Sequence, residues 1–244
     1  MGGARMSEWA AKRFWKEASI TDVETGHGIA LDSRPVKTPA KAALVVPTRA
    51  LAQAIAAEWN AVPERIDPRA MPMTRSANAA IDKVAHQHAE VADMLAAYGA
   101  TDLLCHRATA PQELVLRQSE EWDPLLDWAD SALNARLRQT PGVMPTKQDG
   151  AALARLRARV HAQDNFALTA LHDLVALSGS LVIGLAALDG AYPPDILWQT
   201  SRLDEAWQAE LWGADDEAED MAAIKRAAFL HAHEFFCLLS ENSA

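Results

Sequence analysis

Residues 47–84 read PTRALAQAIAAEWNAVPERIDPRAMPMTRSANAAIDKV: a helix, a proline-punctuated connection and the start of a second helix. Thr48 suits a helix N-cap behind Pro47, and Leu51, Ile55 and Trp59 recur every four residues, so one apolar stripe should face a core. Pro47, Pro63, Pro68 and Pro72 bracket that helix and the stretch after it, because proline and the residue before it disfavour helix continuation. A second helix is expected from near Thr74, with Ala77, Ile81, Val84 or Ala85, Val91 and Leu95 on its apolar face. Arg75, Asn78 and Asp82 stand three and four residues apart, the spacing at which a cation, an amide and a carboxylate can share one hydrogen-bonded cluster. That cluster is expected to pin the connection onto the helix.

Upstream, residues 14–46 fall into short runs (ASITDVE, IALD, SRPVKTP, AALVV) separated by turn residues. The pattern predicts a small antiparallel sheet of hairpins, with Gly26-His27-Gly28 as a turn. After Pro47 helical periodicity dominates through to Leu239. The fold class is therefore α+β, with a small antiparallel sheet and helices in an N-terminal domain, 1–100, and an all-helical C-terminal domain, 101–244. Gly99 stops the second helix after Tyr98, and the boundary is placed near residue 100. In the C-terminal part Pro111 suits a first helical turn, Asp123-Pro124 marks a break and restart, and residues 139–150 are the clearest loop. Further helices are expected over 151–163, 165–177, 181–188, 194–212 and 216–239.

With 244 residues and 50% hydrophobic composition, the chain can bury a real core in one large or two small domains. A formal charge of −10 repels phosphate backbones, and no basic run is interleaved with aromatics, so nucleic acid is not an expected partner. An acidic surface prefers a basic protein. The first residues, MGGARMSEWAAKRFWKEASI, lack the uninterrupted apolar stretch of a signal peptide, and Met6 reads as a native start behind a short leader. The longest uncharged apolar stretch, residues 174–188, falls short of the about 20 that span a bilayer and reads as a buried helix pair, so no stable membrane insertion is expected. Cys105 and Cys237, far apart in sequence, fit reduced thiols better than a disulfide framework. The expected setting is the cytoplasm of a bacterium, or the mitochondrial matrix in a eukaryote, and the expected state is a monomer.

Catalytic motifs do not emerge. A phosphate loop needs converging glycines followed by Lys and Ser or Thr, and no such string occurs; Ser178-Gly179-Ser180 has the wrong order for a nucleophile elbow. No catalytic residue and no cofactor are expected. His86 with His88, and His231, His233, Glu234 and Cys237, are the metal-ligating types that come close in sequence. Residues two apart on a helix point in different directions, which excludes His86 with His88. His233 with Cys237 or His231 with Glu234 could pair, but two ligands are too few, and no metal is expected.

The strongest candidate for function is the helix over 194–212. A 3.6-residue wheel places Ile196, Leu203, Trp207 and Leu211 on one stripe, with Glu210 on its edge beside Leu203 and Trp207. Trp198, Trp207 and Trp212 surround that carboxylate. From Leu203 to Ile224 there are eight carboxylates and no Lys or Arg. Binding hot spots favour Trp and Arg, and a carboxylate beside Trp can receive a partner arginine. Leu203, Glu205, Trp207, Glu210 and Trp212 are thus the candidate partner-binding residues. Spacing alone leaves a second reading open, in which Trp207 is core, the acids solvate the exposed face and Glu210 pairs internally.

Taken together, EW at 58–59, ERIDP at 64–68 and MPMTRSANAAID at 71–82 resemble the assembly chaperones of the F-type ATP synthase catalytic head, of the mitochondrial and alphaproteobacterial Atp-twelve type. LDSRPVKTPAKAALVVPT at 31–48, TDLLCHRA at 101–108, EEWDPLLDW at 120–128 and LDEAWQAELWG at 203–213 extend the resemblance over most of the chain. Departures are small: Ser33 stands where the family commonly has Gly, and Trp15 where it has Tyr or Phe. The resemblance implies an ATP-independent chaperone that binds the isolated alpha subunit until a beta subunit replaces it. It also implies an essential glutamate in the segment AELWG, hence Glu210, with Glu205 as the alternative position. Two other classes remain: an enzyme using Glu205 and Glu210 for acid–base work in an interdomain cleft, and an interaction module for some other protein.

Overall fold

The structure is a computed structural model and describes residues 11–142, 144, 146–213 and 215–240. The short leader read before Met6 lies outside the described residues. Contacts divide the chain into two compact units, residues 1–86 with 237–244, and residues 87–236. The division falls at 86/87 rather than near residue 100.

The first unit is a sheet covered by helices. Strand β1 (Ala18–Val23) pairs antiparallel with β2 (Gly26–Leu31) in the register Ala18↔Leu31 to Val23↔Gly26. The register makes Glu24-Thr25 the turn and corrects the expected Gly26-His27-Gly28 turn, which lies inside β2. The glycine answers to a neighbour instead: a Cβ on Gly26 would stand 2.4 Å from the Val46 carbonyl oxygen, and its φ is +143°. That neighbour is β4 (Val45–Val46), which with β3 (Arg34–Pro35) also pairs on β2. Helix α1 (Arg49–Ala61) is capped as its sequence predicts. Thr48 Oγ1 accepts from Leu51 N at 3.3 Å and also donates to the Leu238 carbonyl at 2.5 Å. Leu51, Ala52, Ile55 and Ala56 are buried, and Trp15 stands edge-on to Trp59 with its ring nitrogen donating to the Trp59 carbonyl.

Helix α2 (Pro72–Asp82) starts without a side-chain cap of its own; Glu58 of α1 accepts from Met73 N, Thr74 N and the Thr74 hydroxyl at 2.6 to 2.8 Å. A carboxylate placed on the free N–H groups of a helix start both satisfies them and complements the helix dipole. The expected cluster of Arg75, Asn78 and Asp82 is corrected. Asp82 instead accepts from Thr38 Oγ1 at 2.6 Å and Ala40 N at 3.0 Å, Asn78 Oδ1 is buried without a partner, and Arg75 is exposed. The long second helix is corrected too. It ends at Asp82, and after the 3-10 turn Val84–His86 a separate helix α3 (His88–Ala97) begins. Helix α3 packs on α5 (Gly150–His161) and α6 (Asn165–Ser178), which is why it groups with the second unit.

The second unit is a helical assembly around two central helices, α6 and α7 (Leu181–Leu188), every residue of α7 being buried. Asp164 caps α6, Gly179 closes it in a left-handed conformation, and Ser180 caps α7. The helices approach closely at Gly184, where a Cβ would lie 2.6 Å from Val175 Cγ2. Helix α4 (Gln112–Leu133) runs through Pro124, correcting the expected break. An internal proline costs a helix about 3 kcal/mol, which burial of Trp122, Leu125 and Leu126 at about 1.5–3 kcal/mol each outweighs. Helices α8 (Pro194–Ser201), α9 (Leu203–Trp212) and α10 (Asp216–Cys237) complete the unit, with a two-residue parallel pair of β5 (His106–Arg107) and β6 (Thr140–Pro141) beside them. No helix among the described residues is long and apolar enough to cross a membrane.

Candidate functional site

Helix α9 carries the candidate residues, and polar groups of α4 hold it. Leu203 is the buried side chain of α9. Around it, Gln118 Nε2 donates to Asp204 Oδ1 at 2.7 Å, and Arg117 Nη1 donates to both carboxylate oxygens of Glu210 at 2.8 Å. Glu121, one turn along α4, lies 3.5 Å from Arg117 Nε. Hydrogen bonds donated to the Glu210 carboxylate hold the Arg117 guanidinium above its ordinary pKa.

Beneath these contacts runs a buried polar spine. Gln118 Oε1 accepts from Ala108 N at 2.8 Å, and its carbonyl accepts from Arg107 Nη1 at 3.2 Å. Buried Arg107 also donates to the Leu104 carbonyl, stands 2.7 Å from Asp123 and lies 5.4 Å from the centre of the Trp122 ring. Trp122 in turn donates to the Thr200 carbonyl at 3.0 Å, tying α4 to α8. A groove of about 350 Å³ opens over the spine, lined among others by Gln118, Asp204, Trp207 and Gln208. The Gln118 amide on its floor is hydrogen-bonded through both its oxygen and its nitrogen, Asp204 is half-buried at its side, and Arg107 Nη2 stands 2.7 Å from Asp123 as an ion pair without a hydrogen bond.

The single helix expected over 194–212 is two helices, broken at Arg202 with φ −109° and ψ 15°. A continuous wheel therefore does not apply, and the predicted residues separate. Leu203 is core. Trp207 is half-buried at the groove. Glu205 is exposed and pairs with Arg202 at 2.7 Å, while Arg202 lies over Trp198. Trp198 is buried against Phe229 rather than flanking Glu210. Ile196 and Leu211, expected on the buried stripe, are exposed. Glu210 is 55% exposed in its pair with Arg117, and Trp212 is 80% exposed. Arg117, Gln118 and Asp204 were missed because their partners lie 86 and 93 residues away, beyond any spacing rule.

Glu205 and Glu210 each face an arginine, and neither lines the grooves of about 340 and 350 Å³ beside α4. Among the described residues no group of three or more His, Cys, Asp or Glu converges to hold a metal ion, and Cys105 is a buried free thiol. Burial pushes the Cys105 thiol up to about 12.

Comparison with known proteins places this architecture. Residues 12–130 match the family model described as ATP12 chaperone protein. The crystal structure of Atp12 from Paracoccus denitrificans is 53% identical, with a TM-score of 0.93 over 96% of this chain and all of that one; a variant of it with an aspartate replaced by lysine matches equally. A protein of Agrobacterium tumefaciens described as a chaperone candidate is 39% identical, with a TM-score of 0.90 over 94% of this chain and 86% of that one. The mitochondrial protein atp12 of Schizosaccharomyces pombe is 25% identical over 223 residues, 86% of this chain and 76% of its own length. The chain belongs to the ATP12 chaperone family.

Proposed function

We propose that this chain binds the unassembled alpha subunit of the F-type ATP synthase catalytic head, without using ATP itself, and holds it until the beta subunit takes its place. The coarser statement, a family chaperone for ATP synthase assembly, follows from the family itself. The observation that carries the finer one is the alignment of the whole fold with Atp12 at 53% identity, joined to an α9 surface that presents Glu205, Glu210 and Trp212 to solvent. An unassembled subunit exposes an apolar interface that aggregates, and covering it until the proper partner displaces the cover suppresses that loss. Glu210 is the residue we place at the centre of the contact, its carboxylate passing from Arg117 to an arginine of the client. Trp212 and Trp207 flank it as anchors. Glu210→Gln tests the assignment: it should lower folding stability by no more than about 1 kcal/mol while lowering capture of purified alpha subunit. Normal capture would remove Glu210 from the site.

A further inference from the structure

Helix α10 buries only its second half. Phe229, Ala232 and Phe235, spaced three apart, are buried, with Phe229 against Trp198 and Phe235 against Phe166. The same face continues toward the N-terminus through Ala228, Lys225, Met221 and Ala218, with Ile224 at its edge. None of these is covered. Over residues 211–228 every described residue is exposed apart from half-buried Ala222, and Ile224 is 62% exposed. Leu211 and Trp212 stand exposed at the turn leading in. The helix is held in place where Arg226 meets Asp195 of α8 at 2.5 Å, and Asp215 caps its start by accepting from Glu217 N and Ala218 N.

About three turns of helix thus carry a largely exposed apolar stripe, interrupted by Lys225. Asp216, Glu217 and Glu219 suit the helix dipole. That accounts for the acids but not for the methionine and isoleucine beside them, since a solvated helix needs no stripe. A second copy of this chain is a poor occupant: the arm would meet a surface of the same sign in a molecule of charge −10. The acids select a cationic rim, and the stripe selects an apolar groove between such cations, the arrangement in which one amphipathic helix docks on another protein.

We propose that this arm is a docking element that lays Met221 and Ile224, with Trp212 at its base, into an apolar groove of basic rim on the client subunit. This rests on the chaperone reading above. The experiment uses the full chain and purified alpha subunit. A photo-crosslinking residue, benzoylphenylalanine, is placed at position 221 or 224. In parallel, the double substitution Met221→Ser with Ile224→Ser is compared with the unaltered chain in equilibrium binding at low and high salt. We expect crosslinks to alpha from both positions, binding at least tenfold weaker in the double variant with unchanged helicity and melting, and weaker binding by the unaltered chain as salt rises. If the unaltered chain binds alpha, but the double variant binds equally well and neither position crosslinks, the arm proposal is wrong and the chaperone reading stands. If the unaltered chain binds no alpha, the reading fails and the arm proposal falls with it.

Discussion

Arg117→Met should strengthen client capture while Glu210→Gln weakens it, although the two changes break the same ion pair. In the free protein one guanidinium nitrogen sits 2.8 Å from both Glu210 oxygens, with the arginine 34% and the glutamate 55% exposed. At that exposure a pair contributes about 0.2–1 kcal/mol net. Either substitution should therefore lower folding stability by no more than about 1 kcal/mol, and Gln118 still fastens α9 to α4 through Asp204. For binding the signs diverge. A client arginine must displace Arg117, so removing Arg117 returns up to the same about 1 kcal/mol, a rise in affinity of at most roughly fivefold. Replacing the carboxylate by an amide removes the negative charge and one of the two acceptor oxygens, a loss of about 1.5–3 kcal/mol for a hydrogen bond to a charged group, or roughly tenfold or more. Titration calorimetry with purified alpha subunit reads both, and thermal unfolding checks that each variant folds. Equal weakening by both would refute the exchange and make the pair a structural brace; no effect of either would remove it from the interface.

Gly184→Ala should destabilise the α6–α7 pair by about 1–3 kcal/mol through overpacking, despite alanine's better helix propensity. Val175→Ala should relieve part of that cost, because the clash is with Val175 Cγ2 at 2.6 Å; additive urea midpoints in the double-mutant cycle would count against this packing. Asp102 is fully buried and accepts from Ser180 Oγ, Leu104 N and Val182 N, yet desolvation outweighs these bonds and raises its pKa above the ordinary 3.8. A raised carboxyl pKa means that the folded state binds the extra proton, so its contribution is full below about 3.8 and is lost as pH rises through the folded value. The melting temperature of the unaltered chain minus that of Asp102→Asn should thus fall as pH rises, and a rising or flat difference would contradict the burial. Glu58→Gln should destabilise the first unit by about 1–3 kcal/mol, because three donors at the start of α2 lose a charged acceptor; an unchanged denaturant midpoint would show that the cap is dispensable.

Local signals carried much of the fold. Thr48 caps α1 as its position predicts, Leu51 and Ile55 are buried, and the short runs before Pro47 become the hairpin sheet. Where the reading failed, a long-range contact had overridden a local preference. Gly26 resembles a turn glycine, but the close passage of β4 demands it inside a strand. Pro124 resembles a break, yet packing of Trp122 and Leu125 carries the helix through it. Asp82 matches Arg75 and Asn78 in spacing but bonds to a loop 44 residues earlier. The acidic, Trp-bearing surface of α9 was visible as composition; the arginine and glutamine that organise it were not, because each reaches it from α4. The exposure of the first half of α10 was equally hidden, since its apolar stripe has the same period along both halves.

Co-purification with separately expressed alpha and beta subunits of the organism's own ATP synthase tests the central claim most directly. The tagged chain should retain alpha and not beta, without added nucleotide, and adding beta should release alpha as an alpha–beta complex. Retention of beta instead of alpha, or of neither, would contradict that claim.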